Sequence, residues 1–522
     1  MKRKFNIAGV CTPNKHYMVD ISEKVEKFFQ LIDDGEYFTI NRGRQFGKST
    51  TINRLENRIA DDGSFICISI SFQFASDKMF DNEEGFCQGF LKRIHQALLQ
   101  FDKEEANRWQ DVTITDFDLL SRFITERCTD KKIVLIIDEA DEASNNELFV
   151  RFLKMLRDKF LFRNVGKDFT FQSVILAGVG EWRMQNGECR IEETYRKDFY
   201  WNIAADFKID LSFSAKEIET MLVEYENDYH TGMNISEIAQ EIRFYTSGYP
   251  YLVSCICRLI ETELDRNWTL EGIQEAIKEI LDDNSTLFDD LMKKIEEYDD
   301  LQNLLFELTV GKKDIPFNAH DPVIKLGLMF CFLAKGDRRL IVHNKIFEIA
   351  ITDYFISRNI TTPKQNNLRG VMYNEIVKDG VFDMELCLRK FKNHYAEIYT
   401  EKDLKFLEHD GKLIFLTYLK PLINGIGFYH FETQTRDHGL IDMIIDFLKQ
   451  QFILEMKLWY GDKQHEEAYT QLAGYLKSKN KDRGYLLTFD FRKTPDTRFA
   501  DCQWVECEGK KIFDVVLSVT PS

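Results

Sequence analysis

Up to about residue 210 the chain alternates short apolar runs with amphipathic stretches. Residues 37–40 (YFTI), 65–72 (FICISISF), 133–138 (IVLIID) and 171–178 (FQSVILAG) are continuous apolar runs of strand length. Residues 84–100 and 146–158, between them, carry helical periodicity. Buried runs alternating with helices predict a parallel sheet covered on both faces. From residue 214 the pattern turns helical, opening with Ser214 and with Glu217 three residues on, a capping-box start. Residues 289–358 read as a small helical domain with a hairpin, and 359–367 (NITTPKQNN) as a polar, aperiodic linker. Beyond it, FYHFETQ, LIDMIIDF, QFILEMKLW and GYLLTFDF alternate as strands, with a helix at 464–477 before the last. The expected divisions are 1–212, 213–288, 289–358, the linker 359–367, and 368–522.

At 522 residues the chain needs several cores. No apolar run reaches the ~20 residues of a membrane span, and the first twenty residues lack the apolar segment of a signal peptide. Eleven scattered cysteines with no CxxC pair suit reduced thiols in a cytoplasmic protein better than zinc or disulfides. The net charge of −17 argues against general adhesion to nucleic acid. Residues 368–522 carry 22 Lys and Arg against 24 Asp and Glu, so nearly all the excess acid precedes them. Lys477, Lys479, Lys481, Arg483, Arg492, Lys493 and Arg498 form either a local basic patch there or an ordinary solvated face.

Two constellations carry chemistry. The first is YFTINRGRQFGKSTTINRL, which runs strand, loop, helix. Backbone N–H groups of Gly43, Arg44, Gln45, Phe46, Gly47 and Thr50 can curl around the phosphates of ATP, with the helix dipole behind them. Lys48 reaches the β/γ-phosphates and Ser49 ligands Mg2+. The full pattern wants glycine at 42, where this chain has Arg42. About 90 residues on, IVLIIDEAD ends an apolar run in Asp138, to hold Mg2+, and Glu139, to polarise the attacking water. That separation suggests a strand beside the phosphate-loop strand. The polar sensor expected at the end of VILAGVGEW is replaced by Ala177, Gly178 and Gly180. Arg183, Arg190 and Arg196 are each an arginine-finger candidate or a surface ion-pair partner.

The second constellation is GLIDMIIDFLKQQFILEMKLW. Period-two geometry puts Glu455 and Lys457 on one face of their strand, and Asp442 on the preceding strand can meet that face. Two carboxylates holding Mg2+ or Mn2+, with a lysine for positioning, suit phosphodiester hydrolysis.

On these residues the N-terminal part (HYMVDIS, GRQFGKST, IIDEAD, and Gly248 and Pro250 of YTSGYPYLVSCIC) resembles AAA-ATPase-like proteins related to STAND and archaeal-type ATPases. The resemblance implies a P-loop NTPase core, a helical lid and a winged-helix-like module over about residues 1–358, and a homo-oligomer through the ATPase part. The D-x12-E-x-K pattern with YTQLAGYL resembles the PD-(D/E)XK nuclease superfamily, over about residues 390–495. It implies a restriction-endonuclease-like α/β domain, with Gln471 as a helical catalytic residue, Tyr475 one turn later, and Glu408 or Glu432 as a contributing acid. The expectation is a bacterial α/β protein coupling ATP hydrolysis to metal-dependent cleavage, DNA more than RNA, in defence against foreign DNA. Two rivals are an ATP-dependent signalling switch that binds nucleic acid or a protein without cutting, and an ATPase that remodels protein.

Overall fold

The structure is a computed structural model describing every residue except 1–2, 44, 74–75, 111, 144–145, 179–208, 283–285, 311–313, 361–374, 379, 399–407, 424–426, 431–442, 449, 491, 493–500 and 519–522. Arg44, Gly180, Arg183, Arg190, Arg196, Glu432, Asp442, Lys493, Arg498 and most of the linker lie outside the described residues. Two compact units result. One comprises residues 1–266 and 325–332, the other 267–324 and 333–522.

The first unit is built on a four-stranded parallel sheet of β1 (Phe38–Asn41), β2 (Ile66–Ser71), β3 (Ile133–Asp138) and β4 (Ser173–Gly178), in the order β1-β4-β3-β2. Every residue of β4, and all of β3 up to Ile137, is buried, the mark of a parallel strand covered on both faces. Helices Glu83–Leu99, Phe117–Cys128 and Glu147–Asn164 form one core with it, through Phe86, Phe90, Leu120, Phe152 and Leu156 against Leu135, Ile137 and Leu176. The strand order corrects one expectation: β3 is not beside β1, because β4 lies between them. Sequence separation limits how long a crossover can be, but leaves the lateral order of parallel strands open. The helices that follow begin as the sequence predicts. Ser214 accepts from the Glu217 amide at 3.2 Å, and Glu217 accepts from the Ser214 amide at 2.7 Å.

The second unit holds helices from Leu270–Asp282 onward, a short hairpin of β5 (Leu333–Lys335) and β6 (Leu340–Val342), and a second of β7 (Val377–Lys378) and β8 (Val381–Phe382). Its main feature is a six-stranded mixed sheet. The strands are β9 (Gly427–His430), β10 (Met443–Phe447), β11 (Gln450–Leu458), β12 (Arg483–Asp490), β13 (Gln503–Cys507) and β14 (Lys510–Ser518), in the order β13-β14-β12-β11-β10-β9. β9, β10 and β11 are antiparallel neighbours, whereas β11, β12 and β14 run parallel. Alternation along β11 sorts its side chains. Leu454 and Met456 join the core under helices Met384–Ile398 and Glu408–Ile423, while Ile453 packs under helix Asp462–Ser478 with Leu472 and Leu476. β13 and β14 go beyond the strands the sequence suggested, since GYLLTFDF (β12) was expected to be the last. Among the described residues no helix is long and apolar enough to cross a membrane.

Candidate functional sites

In the first unit, the chain leaves β1 and turns through Gln45 (φ 57°) and Gly47 (φ 77°) into helix Lys48–Asp62. Gly47 is the N-cap and brings no side chain of its own to the first amides of this helix. Uncapped amides and a positive dipole end form an anion site. Lys48 Nζ donates to the carbonyls of Arg42 (2.9 Å) and Gly43 (3.0 Å), which folds the lysine back over its own loop. Arg42 itself turns away, its Nη2 donating to the carbonyl of Ile209 at 3.0 Å. The glycine one place late has its own reason. Gly43 is buried, its amide donates to Cys331 Sγ at 3.3 Å, and a Cβ there would lie 3.0 Å from the Phe330 carbonyl.

Opposite the loop, β3 ends in Asp138, whose Oδ1 accepts from the Glu139 amide at 2.9 Å. Glu139 sits at φ 49°, a conformation that costs a non-glycine residue ~1–2 kcal/mol. Its Oε2 accepts from Ser71 Oγ at 3.4 Å. Ser71 escaped the sequence reading, although it is the polar end of an apolar strand at the carboxyl edge of the sheet, where such sheets place their ligand groups. β4 closes the same edge with Ala177 and Gly178, so its described end offers no polar side chain.

One cleft of about 540 Å3 brings these residues together, lined by Gln45 to Thr51, Asp138, Glu139 and Gly178. Its other walls were not foreseen: the N-terminal stretch with Val10, Cys11, Tyr17 and Met18, and the later residues Phe213, Tyr251 and Ser254. Pro250, first residue of helix Pro250–Thr262, covers Gly47, and Tyr249 packs edge-on against Phe46 with centroids 4.7 Å apart. The start of this helix therefore sits directly on the phosphate loop.

In the second unit, β10 pairs antiparallel with β11, Met443 opposite Leu454. Glu455 is completely buried and ion-paired with Lys457, Oε1 to Nζ 2.7 Å. Burial makes this pair unlike the solvated-face salt bridge that a surface strand would give. Gln471 is half-buried on helix Asp462–Ser478, and Tyr475, one turn on, is in the core beneath it. Among the described residues no three His, Cys, Asp or Glu converge as metal ligands. Asp442, the expected partner of Glu455, lies outside the described residues. Of the candidate basic patch, Lys477 pairs with Glu508 (2.7 Å) and Arg492 with Asp490 (2.8 Å).

The same sheet face carries a buried polar group missed in the sequence. His465 Nε2 lies 3.1 Å from Asp514 Oδ2 and 2.9 Å from Tyr469 Oη, and Tyr469 donates to Asp514 at 2.8 Å. Burial, followed by the Asp514 charge, pushes the Tyr469 phenol well up. Asp514 and Glu455 share a register row, both aligned with Leu486 of β12.

A parallel sheet with a glycine-capped loop at its carboxyl edge, faced by an acidic strand end, defines the first unit as a P-loop ATPase core. Residues 12–344 match the family model described as an AAA-like domain, and the chain belongs to that family. Among solved structures, a Walker-type ATPase of Pyrococcus abyssi is similar at 11% identity over 66% of this chain and 99% of that one, with a TM-score of 0.41. The Aeropyrum pernix ORC2 protein, in ADPNP–ADP complexes, is similar at 10% identity over 68% and 97%, with a TM-score of 0.34. No curated protein sequence matches significantly.

Proposed function

We propose that this AAA-like protein binds and hydrolyses ATP in the cleft of its first unit and uses its second unit as a metal-dependent PD-(D/E)XK nuclease. The reading divides the chain into a core (1–212), a lid (213–288), a winged-helix-like module (289–358), a linker (359–367) and the nuclease-like domain (368–522). The observation that carries the ATPase half is the single cleft that gathers Lys48, Ser49, Asp138 and Glu139. The uncapped amides after Gly47 bind phosphate oxygens, and Lys48 leaves its loop carbonyls for the β/γ-phosphates. Ser49 and Asp138 would hold Mg2+, which supplies charge neutralisation on the phosphates. Glu139, whose carboxylate accepts from Ser71, would polarise the attacking water.

The nuclease half is supported by Glu455. A carboxylate with no exposed surface on a central strand is costly, and here Lys457 lies 2.7 Å from it. Asp442 and Glu455 would hold Mg2+ or Mn2+, which supplies Lewis acidity toward a phosphodiester. Lys457 and Gln471 orient the substrate. The corresponding role is ATP-dependent cleavage of DNA, as in defence against foreign DNA.

The test is the full chain with plasmid and single-stranded DNA in Mn2+ or Mg2+, with and without ATP. An Asp442→Ala, Glu455→Ala double variant should lose cleavage and keep ATP hydrolysis. Cleavage that persists in the double variant removes the site. A wild-type chain that never cuts but binds DNA under ATP control favours the switch reading.

A further inference from the structure

The loop that follows the Glu455–Lys457 strand is anchored at its first residue and then leaves an aromatic ring in solvent. Trp459, just past β11, donates its backbone N–H to the Phe489 carbonyl at 2.9 Å. Its ring packs against two anchored groups. The Arg492 guanidinium lies 4.3 Å from the ring centroid and is itself pinned to buried Asp490 by contacts of 2.8–3.0 Å. The His465 ring is 4.9 Å away and is fixed by Asp514 and Tyr469. Gly461 closes the loop at φ 119°, with nothing within 4 Å of a Cβ, so glycine is there for backbone conformation, not for space. Between these fixtures stands Tyr460, 70% exposed.

We infer that Tyr460 is a stacking platform for an unpaired base of a nucleic-acid strand whose phosphate lies at Glu455 and Lys457, so that the C-terminal site takes single-stranded or frayed nucleic acid. The inference rests on the nucleic-acid reading of that site. Among the described residues Lys457 is paired with Glu455 and Arg492 with Asp490, and residues 368–522 carry 22 Lys and Arg against 24 Asp and Glu, so they have no net positive charge. Phosphate attraction, which supplies most non-specific affinity, is therefore weak here. An aromatic face recognises a base without net charge and without sequence preference. A backbone anchored at the preceding residue also loses little freedom on binding. Duplex bases hide their faces in their own stack, so the platform selects bases that are unpaired. Tyr460 follows Glu455 by five residues, at most ~17 Å of extended chain, so both can serve one strand.

The test is fluorescence anisotropy of the full chain with a fluorescein-labelled oligothymidylate, an abasic strand of equal length, and a duplex, all in EDTA so that nothing is cut. Tyr460→Ala should weaken oligothymidylate binding by about tenfold, Tyr460→Phe by less than about twofold, and abasic binding by neither. Wild type should prefer the single strand to the duplex. Unchanged oligothymidylate binding in Tyr460→Ala overturns the platform. So does an equal loss on the abasic strand, which would place Tyr460 at the sugar–phosphate backbone or in a fold-stabilising or protein-facing role. Tyr460-dependent binding with no wild-type cleavage in Mn2+ keeps the platform and removes the nuclease reading. Cleavage of single strands undiminished in Tyr460→Ala, with binding unchanged, does the reverse.

Discussion

Gly248→Ala tests whether the lid is mechanically joined to the phosphate loop. Gly248 is buried at φ 72°, and a Cβ there would lie 2.0 Å from the Phe213 carbonyl oxygen and 2.7 Å from its nitrogen. Those backbone atoms cannot rotate away, because the Phe213 amide donates to the Gly248 carbonyl at 2.8 Å. The left-handed conformation costs an alanine ~1–2 kcal/mol, and forced repacking typically ~1–3 kcal/mol more. The sum is a loss of ~2–5 kcal/mol. Gly232→Ala is the matched control: its φ is 77° but nothing lies within 4 Å of its Cβ, so it should lose only the conformational part, ~1–2 kcal/mol. Relief at 248 must move Tyr249 and Pro250, the residues seated on Phe46 and Gly47. Forfeiting the aromatic contact is worth ~0.5–1.5 kcal/mol, up to about tenfold in ATP affinity. Thermal unfolding and calorimetric ATP titration of both variants decide the matter. Equal destabilisation of the two would refute the steric reasoning. A destabilised Gly248→Ala with wild-type ATP affinity would refute the coupling of lid to loop.

Two further outcomes are expected in the same cleft. Lys48→Ala should weaken ATP binding by about two orders of magnitude, ~3 kcal/mol for a lost charge-assisted contact, while Glu139→Gln keeps affinity within a few-fold and loses phosphate release; calorimetry and a phosphate assay separate the pair, and undiminished release by Glu139→Gln would move the catalytic carboxylate elsewhere. Saturating ATP should slow alkylation of Cys11, a half-buried thiol in the cleft wall whose amide donates to Thr50 Oγ1 at 3.2 Å. Cys87 and Cys128, pushed up to about 12 by burial, should stay unlabelled in either state; mass spectrometry reads all three, and equal Cys11 labelling with and without ATP would exclude a nucleotide beside it.

The parts of this molecule that were legible in the sequence are those fixed by local pattern. β3 occupies the predicted residues 133–138, and the Ser214–Glu217 box forms with both bonds. Helix Asp462–Ser478 extends the predicted 464–477 by only a few residues. What stayed hidden depends on lateral or distant placement. No periodicity announces that β4 enters between β1 and β3. β13 and β14 were overlooked because QWVEC and KKIFDVVLS follow a polar, irregular stretch, and their strand character comes from pairing, β14 against both β12 and β13. In the site, the phosphate-loop residues were readable because their chemistry is contiguous. Tyr17 and Tyr251 were not, since only folding brings them to the same cleft, nor was Ser71, which only folding sets against Glu139.

The brief return of residues 325–332 to the first unit changes how the phosphate loop can be inherited or transplanted. A shelf made of Phe330 and Cys331, nearly three hundred residues away in the chain, crowds any side chain at position 43. Loop and shelf are thus one heritable unit. A library varying position 43 alone should favour glycine, and shrinking residue 331 should relax that preference only in part, because the Phe330 backbone carbonyl stays. A graft of residues 38–62 into a foreign scaffold would carry the motif but leave behind the surface that shapes it.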